Sequence, residues 1–222
     1  MVIMLEINEF NNQIELMTKE VCKERGVDKL SADQGYDKYL RDATTYLNYY
    51  FKLFTHLQQT PPGTTPVYSE MNILDFGCGP AFSIYVGKIM GFQNIRGLDV
   101  NLAQMEIDSI IQKIHQSLQI ESDIDFYKGY GTLPYPDSSQ DIIMSMWSIL
   151  GDYSLESGLS SWLSPEMGET EKGRLKNRLI ELIRISGEES VWLINPKKHW
   201  DIIQSIYNEI NHNKNIVINL VS

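Results

Sequence analysis

The residues best suited to chemistry lie in a glycine-rich turn between a short apolar strand and a helix that is predicted to span Ala81 to Met90. In chain order the turn contains Asp75, Gly77, Cys78 and Gly79. Glycine has no Cβ, so a ligand can approach the backbone of such a turn closely. A helix that starts directly after the turn also offers free backbone N–H groups. The pattern predicts a ligand site at this turn.

A second acidic residue stands at the end of the next predicted strand. Asp99 follows Asp75 by 24 residues and lies in the apolar stretch from Ile95 to Val100. In a doubly wound sheet this spacing puts a carboxylate beside the first turn, where it can accept hydrogen bonds from both ribose hydroxyls of a nucleoside. A carboxylate at that point disfavours a 2′-phosphate.

A glycine turn followed by a distant acid fits two kinds of nucleotide ligand. Dinucleotide sites use G-x-G-x-x-G to hold a pyrophosphate. Here Ala81 takes the place of a third glycine, and Asp75 would repel a pyrophosphate. Asp75 would instead suit an ammonium group, directly or through water. S-adenosylmethionine carries such an ammonium together with a ribose and an adenine.

The stretches Asn72–Pro80 and Gly97–Asn101 resemble the first two motifs of the class I (Rossmann-like) S-adenosylmethionine-dependent methyltransferases. A coarser similarity in element order extends from about residue 70 to residue 210. The resemblance implies that four turn residues bind the methionine part of the cofactor, namely Asp75, Gly77, Cys78 and Gly79. It implies further that Asp99 holds the ribose and that Val100 packs against the adenine.

The next family motif resembles Gly129 to Asp137, and its second half, Leu133 to Asp137, matches well. Tyr130 stands where the family has an acid that contacts the adenine amino group, and the segment is one residue shorter than usual. The resemblance implies that Gly129 and Tyr130 lie at the adenine. Either the ring of Tyr130 stacks on the adenine, or a backbone group of this segment recognises it. A surface loop tyrosine is the alternative role for Tyr130.

The fourth predicted strand ends at Met146, and ligands of open α/β sheets bind beyond the carboxyl ends of the strands. Ser145 to Trp147 should therefore border the transferred methyl group, with Met146 at the cofactor. Trp147 is a candidate acceptor contact or a core residue. His199, after the fifth strand, is a candidate general base or simply a residue near a helix start. Methyl transfer requires mainly alignment and exclusion of water, so a catalytic motif is not required.

The elements that position these residues follow from hydrophobic periodicity. A helix is predicted over residues 3 to 25, and a second follows from the apolar stripe between Tyr36 and Leu57. Strands and helices then alternate, with later elements at Glu171 to Ile185, Val191 to Ile194, and His199 to Ile210. Strands separated by helices predict an α/β fold with a doubly wound, mostly parallel sheet.

The Pro-rich loop from Gln58 to Glu70 divides this plan into an N-terminal helical extension, residues 1–60, and a cofactor-binding domain, residues 70–222. The family that the chain resembles usually ends with a helix and an antiparallel hairpin. Only one strand, Asn215 to Val221, follows Ile210 here, so either the sequence is truncated or the C-terminal edge of the sheet is shortened. An exposed edge strand would need cover.

Composition restricts the partners. With 19 basic and 29 acidic residues the net charge is −10, which argues against a nucleic-acid partner and favours a small-molecule acceptor. No apolar run reaches the length of about 18 residues that a membrane span needs. Two cysteines form neither a disulfide framework nor a metal set, and the four histidines are widely spaced. Reduced thiols without a secretion signal predict a cytoplasmic protein; the oligomeric state is not predicted.

The leading hypothesis is an enzyme that transfers a methyl group from S-adenosylmethionine and releases S-adenosylhomocysteine. A noncatalytic methyltransferase-like scaffold or binding protein is the main alternative, and loss of cofactor binding would favour it. A nicotinamide-dependent oxidoreductase is a second alternative, which Asp75 and the missing third glycine count against. Aminopropyl transfer would need further acids in the acceptor pocket, which the sequence does not identify.

Overall fold

The computed structural model describes residues 2–30, 37–58, 70–100, 115–127, 131–146, 169–195, 200–211 and 213–220. The helices are α1 (Val2–Arg25), α2 (Asp37–Gln58), α3 (Phe82–Ile89), α4 (Glu169–Ile185) and α5 (Trp200–Ile210), and residues 115–118 are also helical. The strands are β1 (Asn72–Phe76), β2 (Asn94–Val100), β3 (Ile124–Tyr127), β4 (Gln140–Met146), β5 (Ser186–Asn195) and β6 (Val217–Leu220).

The six strands form one sheet in the order β3-β2-β1-β4-β5-β6. The pairs β2–β3, β1–β4, β4–β5 and β5–β6 are parallel. The chain runs outward from β1 to β3 on one side and then returns to build β4 to β6 on the other side. The reversal of strand order therefore lies between β1 and β4. This topology confirms the predicted doubly wound, mostly parallel sheet.

The central strands are buried on both faces, as their almost continuous apolar sequences require. In β1 only Asn72 is exposed, and its backbone N–H donates a hydrogen bond of 2.9 Å to Oδ2 of Asp141 on β4. Leu74 and Phe76 point into the core that the sheet shares with α4 and α5. Other members of this core are Leu98, Ile143, Leu179, Leu182, Trp192, Ile194 and Ile203.

Strand β5 begins five residues earlier than the apolar run from Val191 predicts. Helix α4 ends at Ile185, and Ser186 already belongs to the strand. The Ser186 hydroxyl donates to the carbonyl of Leu182 at 2.7 Å and accepts the indole N–H of Trp192 at 2.8 Å. These two bonds satisfy a serine that is fully buried, which allows the polar start of β5 to lie inside the fold.

The last strand in the described part of the chain, β6, runs parallel to β5, with Val191 opposite Val217. Residues 213–220 form this strand and no antiparallel hairpin, and the shortened edge stays a prediction. Val217 and Leu220 are 51% and 52% exposed.

By internal contacts the chain divides into two units, residues 1–70, 79–95 and 102–123 in one and residues 71–78, 96–101 and 124–222 in the other. The predicted domain boundaries, 1–60 and 70–222, remain a prediction. In the first unit α2 packs on α1 and α3. A Cβ on Gly87 of α3 would lie 2.8 Å from Cδ1 of Ile95 and 3.2 Å from Cζ of Phe54, so the helix approaches its neighbours closely there.

Candidate functional site

The turn after β1 is built on residues with left-handed backbone conformations. Gly77 has φ 75°, Gly79 has φ 53° and Ala81 has φ 59°. Glycine adopts such angles readily, whereas an alanine in this region is strained by roughly 1–2 kcal/mol. Ala81 stands where a third glycine is common, and its left-handed backbone is strained. This strained residue directly precedes α3.

The turn is tied to the carboxyl end of β2. The backbone N–H of Gly77 donates to the carbonyl of Leu98 at 2.7 Å, and that of Cys78 donates to the same oxygen at 3.3 Å. Asp99 is the next residue after Leu98. The structure thus places Asp99 beside the glycine turn, as the spacing predicts, while its role in ligand binding remains a prediction.

Asp75 and Asp99 lie on the same face of the sheet. Side chains alternate along a strand, and the neighbouring residues Leu74, Phe76 and Leu98 all point into the core against α4. The two carboxylates therefore face the other way. Both are buried, Asp75 with 1% and Asp99 with 4% of its surface exposed. Two buried acids on one face create a strongly negative environment, which suits a cationic or hydroxyl-rich ligand.

The pKa of the Cys78 thiol is affected by the same negative environment. Burial raises the pKa of its thiol well above the ordinary value, and the charges of Asp99, Asp75 and Asp125 raise this pKa further. The thiol stays protonated at neutral pH. A cysteine nucleophile needs a lowered pKa, so Cys78 is excluded as one. Its position inside the turn is better explained by the small size of its side chain.

The carboxyl end of β4 lies next to that of β1, because Asp75 is opposite Met144 in the parallel register. Met146 ends β4, opposite Asn195 of β5, and is 9% exposed. Ser145 is fully buried, and its hydroxyl makes no hydrogen bond to the residues that the structure describes. A buried hydroxyl usually has a partner, so Ser145 is able to bond a further group at this end of the sheet.

Some predicted site residues lie outside the described ranges. These are Gly129, Tyr130, Trp147 and His199. Val100 is the last residue of β2 and pairs with Tyr127 of β3. The structure thus brings together Asp75, Gly77, Cys78 and Asp99, with Met146 at the end of the adjoining strand β4.

Sequence analysis missed a hydrogen-bonded network that follows β3. Glu181 and Arg184 of α4 bind the backbone of Leu133 and Tyr135, and Tyr135 donates to Asp125. The spacing of Glu181 and Arg184 on one helix face was a usable signal, because residues three apart are neighbours there. Their partners are far away in sequence, so the contact itself could not be predicted.

The described residues contain no cluster of three or more side chains that could hold a metal ion. Within the same ranges, no helix combines the length and apolar character that crossing a membrane requires.

No family model and no curated protein matches this chain. Among solved structures it is similar to a Methanococcus maripaludis protein proposed to be an S-adenosyl-L-methionine-dependent methyltransferase, with 16% identity, a TM-score of 0.46 and coverage of 82% of this chain and 74% of that one. It is also similar to the [4+2]-cyclase SpnF, with 14% identity, a TM-score of 0.45 and coverage of 90% and 70%. A geranyl diphosphate methyltransferase in complex with SAM matches at 14% identity and a TM-score of 0.44, with coverage of 85% and 67%.

Several other similar structures are longer, and this chain spans only 63% and 59% of two of them.

Proposed function

We propose that this chain binds S-adenosylmethionine and transfers its methyl group to a small-molecule acceptor. The observation that carries the proposal is the pair of buried carboxylates, Asp75 and Asp99, on one face of the sheet beside the Gly77 turn. This pair lies near the reversal of strand order, and open α/β sheets bind their ligands beyond the strand ends at that point.

The two acids have different roles in the proposal. Asp75, two residues before Gly77, takes the ammonium group of the methionine part. Asp99, beside the turn, accepts hydrogen bonds from the ribose hydroxyls. A ligand with positive charge at its ammonium and sulfonium complements the negative charge that raises the pKa of Cys78. A pyrophosphate would meet repulsion from Asp75.

The remaining binding residues extend this site in both directions. Val100, Gly129 and Tyr130 are proposed to hold the adenine. At the other end, Met146 and the hydroxyl of Ser145 are proposed to border the methyl group.

The bound cofactor would supply a methyl group that its sulfonium already activates toward in-line displacement. The chain must orient the acceptor along that line and exclude water. A base is required only for an acceptor that begins protonated. Cys78 is unsuited to this role because its raised pKa leaves no thiolate. His199 is retained as the candidate base, and Trp147 as the candidate acceptor contact.

A small acceptor is favoured by the overall charge of the chain. The net charge of −10 weighs against a nucleic-acid acceptor.

A nicotinamide dinucleotide is a second candidate ligand, because the strand order β3-β2-β1-β4-β5-β6 is also that of dinucleotide-binding domains. The buried Asp75 opposes it, since this carboxylate would stand close to the pyrophosphate.

Isothermal titration with S-adenosylmethionine, S-adenosylhomocysteine and NADH tests the proposal. We expect micromolar binding of the first two ligands only. Asp99→Asn should weaken that binding roughly 10- to 100-fold, the range expected when hydrogen bonds to a charged acceptor are lost. Glu209→Gln, at an exposed position on α5, is the matched control and should bind normally. Binding of NADH alone would reverse the choice of ligand, and binding without turnover of any acceptor would favour a noncatalytic protein.

A further inference from the structure

The segment Gly131–Ser139 is fastened to α4 by two side chains, Glu181 and Arg184, which we call the α4 clamp. Oε2 of Glu181 accepts the backbone N–H of Leu133 at 2.8 Å, and Nη2 of Arg184 donates to the Leu133 carbonyl at 3.0 Å. Both backbone polar groups of this residue are thus satisfied by one helix, as burial of the Leu133 side chain requires.

The guanidinium of Arg184 reaches further along the segment. Its Nη1 donates to the Tyr135 carbonyl at 2.9 Å and to Oδ1 of Asp137 at 2.7 Å. Glu181 holds the same guanidinium from the other side, with Nη2 2.8 Å from Oε2 and Nε 3.1 Å from Oε1. A planar fork that is paired along two edges has little rotational freedom, so the clamp restricts the backbone at Leu133 and Tyr135.

A second attachment joins the segment to β3. The Tyr135 hydroxyl donates to Oδ2 of Asp125 at 2.8 Å, and Arg96 of β2 holds both oxygens of that carboxylate at 2.8 and 2.9 Å. In the register of β2 and β3, Asp125 lies opposite Leu98 and the next pair is Asp99 with Phe126. The segment is therefore bonded to Asp125, which lies one register step before the pair that contains Asp99.

We propose that Glu181 and Arg184 are positioning residues for the cofactor, and that the α4 clamp sets the affinity for its nucleoside end. This inference rests on the proposed function. The clamped segment begins directly after Gly129 and Tyr130, the residues proposed to meet the adenine. On the other side, Tyr127 is fixed by its pairing with Val100. The link from Tyr135 to Asp125 ends one register step from Asp99, the residue proposed to hold the ribose.

A purely structural clamp would change stability without changing affinity, and a matched control separates the two roles. Lys176 of α4 forms a different ion pair, with Glu209 of α5. Its Nζ lies 2.5 Å from Oε1 of Glu209, and both side chains are exposed. Lys176→Gln removes one charge from the same helix without disturbing the segment. Tyr135→Phe removes only the attachment to Asp125, and gives a second variant should Arg184→Gln not fold.

The experiment measures the dissociation constant of S-adenosylhomocysteine by isothermal titration, together with amide hydrogen exchange in residues 131–139. We expect Arg184→Gln and Glu181→Gln to weaken binding about 5- to 30-fold, Tyr135→Phe to weaken it about 3-fold, and Lys176→Gln to leave it within about 2-fold of the original. Exchange in residues 131–139 should rise in the clamp variants, and added ligand should reduce it less than in the unaltered protein.

Faster exchange with an unchanged dissociation constant in the folded clamp variants and in Tyr135→Phe would overturn the inference, because the segment would then be mobile without consequence for the ligand. An equal loss of affinity in Lys176→Gln would overturn it too, by showing a general effect of charge on α4. Absence of binding by the unaltered protein would instead remove the proposed function itself.

Discussion

The backbone N–H of Gly77 donates a 2.7 Å hydrogen bond to the carbonyl of Leu98, and this one contact brings the glycine turn to the residue before Asp99. Gly77 then turns the chain with φ 75°, and the N–H of the next residue, Cys78, donates to the same carbonyl at 3.3 Å. The backbone of the turn, and not only the side chains, therefore determines how the two acids are presented to a ligand.

Replacing this glycine should be costly. Gly77→Ala puts a Cβ on a left-handed residue, and we expect a loss of about 1–2 kcal/mol in the free energy of unfolding, with weaker binding of S-adenosylmethionine. Urea unfolding and isothermal titration measure the two effects. Gly173→Ala is the control, because a Cβ there meets open space within α4, and it should stabilise the protein by about 0.5–1 kcal/mol. Equal effects of the two substitutions would contradict the role of the left-handed conformation.

Removal of the hydroxyl should affect the stability of the protein differently at two serines of β5. The Ser186 hydroxyl accepts the buried indole N–H of Trp192, so Ser186→Ala leaves that donor unsatisfied and should cost about 1–3 kcal/mol. Ser190 is as well buried, but its hydroxyl has no hydrogen-bond partner among the described residues. Ser190→Ala should therefore change stability by less than about 0.5 kcal/mol or increase it. Thermal unfolding of the two variants decides the matter, and a large loss in Ser190→Ala would reveal a partner for that serine.

The acidic limb of the stability curve should depend on Glu181. Its hydrogen bond with Arg184, opposed by burial and helped by the N–H of Leu133, lowers its pKa below the ordinary 4.5. A lowered pKa in the folded state means that the unfolded chain takes up the proton first. The stabilising contribution is therefore complete above about pH 4.5 and is lost as the pH falls through the folded-state pKa.

Urea unfolding between about pH 3 and pH 7 tests this dependence. Glu181→Gln should be less stable than the unaltered protein near pH 7, and the two curves should converge as the acid limb is entered. Ser190→Ala changes no titratable group, so it is the control and should run parallel to the unaltered protein throughout. A constant difference between Glu181→Gln and the unaltered protein at every pH would show that ionisation of Glu181 is not involved.

The sequence was sufficient to predict the parts of this fold that depend on local pattern. The strand at Ile73 is a short apolar run before a glycine turn, and the stripe of α2 recurs at helical spacing, so both can be recognised from local sequence. Asp99 could be placed beside the turn because the spacing of a βαβ unit is nearly constant. The polar start of β5 at Ser186 could not be found in this way, since its burial is made possible by Trp192, six residues further on.

The parts of the site that depend on distant partners were beyond sequence reasoning. Arg184 and Leu133 are separated by 51 positions, and neither residue type is unusual where it stands. The left-handed conformation of Ala81 was equally hidden, because alanine is not a residue whose presence signals a positive φ.

The contact between Asn72 and Asp141 spans 69 positions of the chain, and it sets the order of events during synthesis. One edge of β1 pairs with β4, so that edge has no partner until the ribosome has delivered residues 140–146. At about 5–20 residues per second, the interval lasts roughly 3–14 seconds. Throughout it, the strand that precedes the glycine turn is an apolar edge open to other nascent chains and to chaperones.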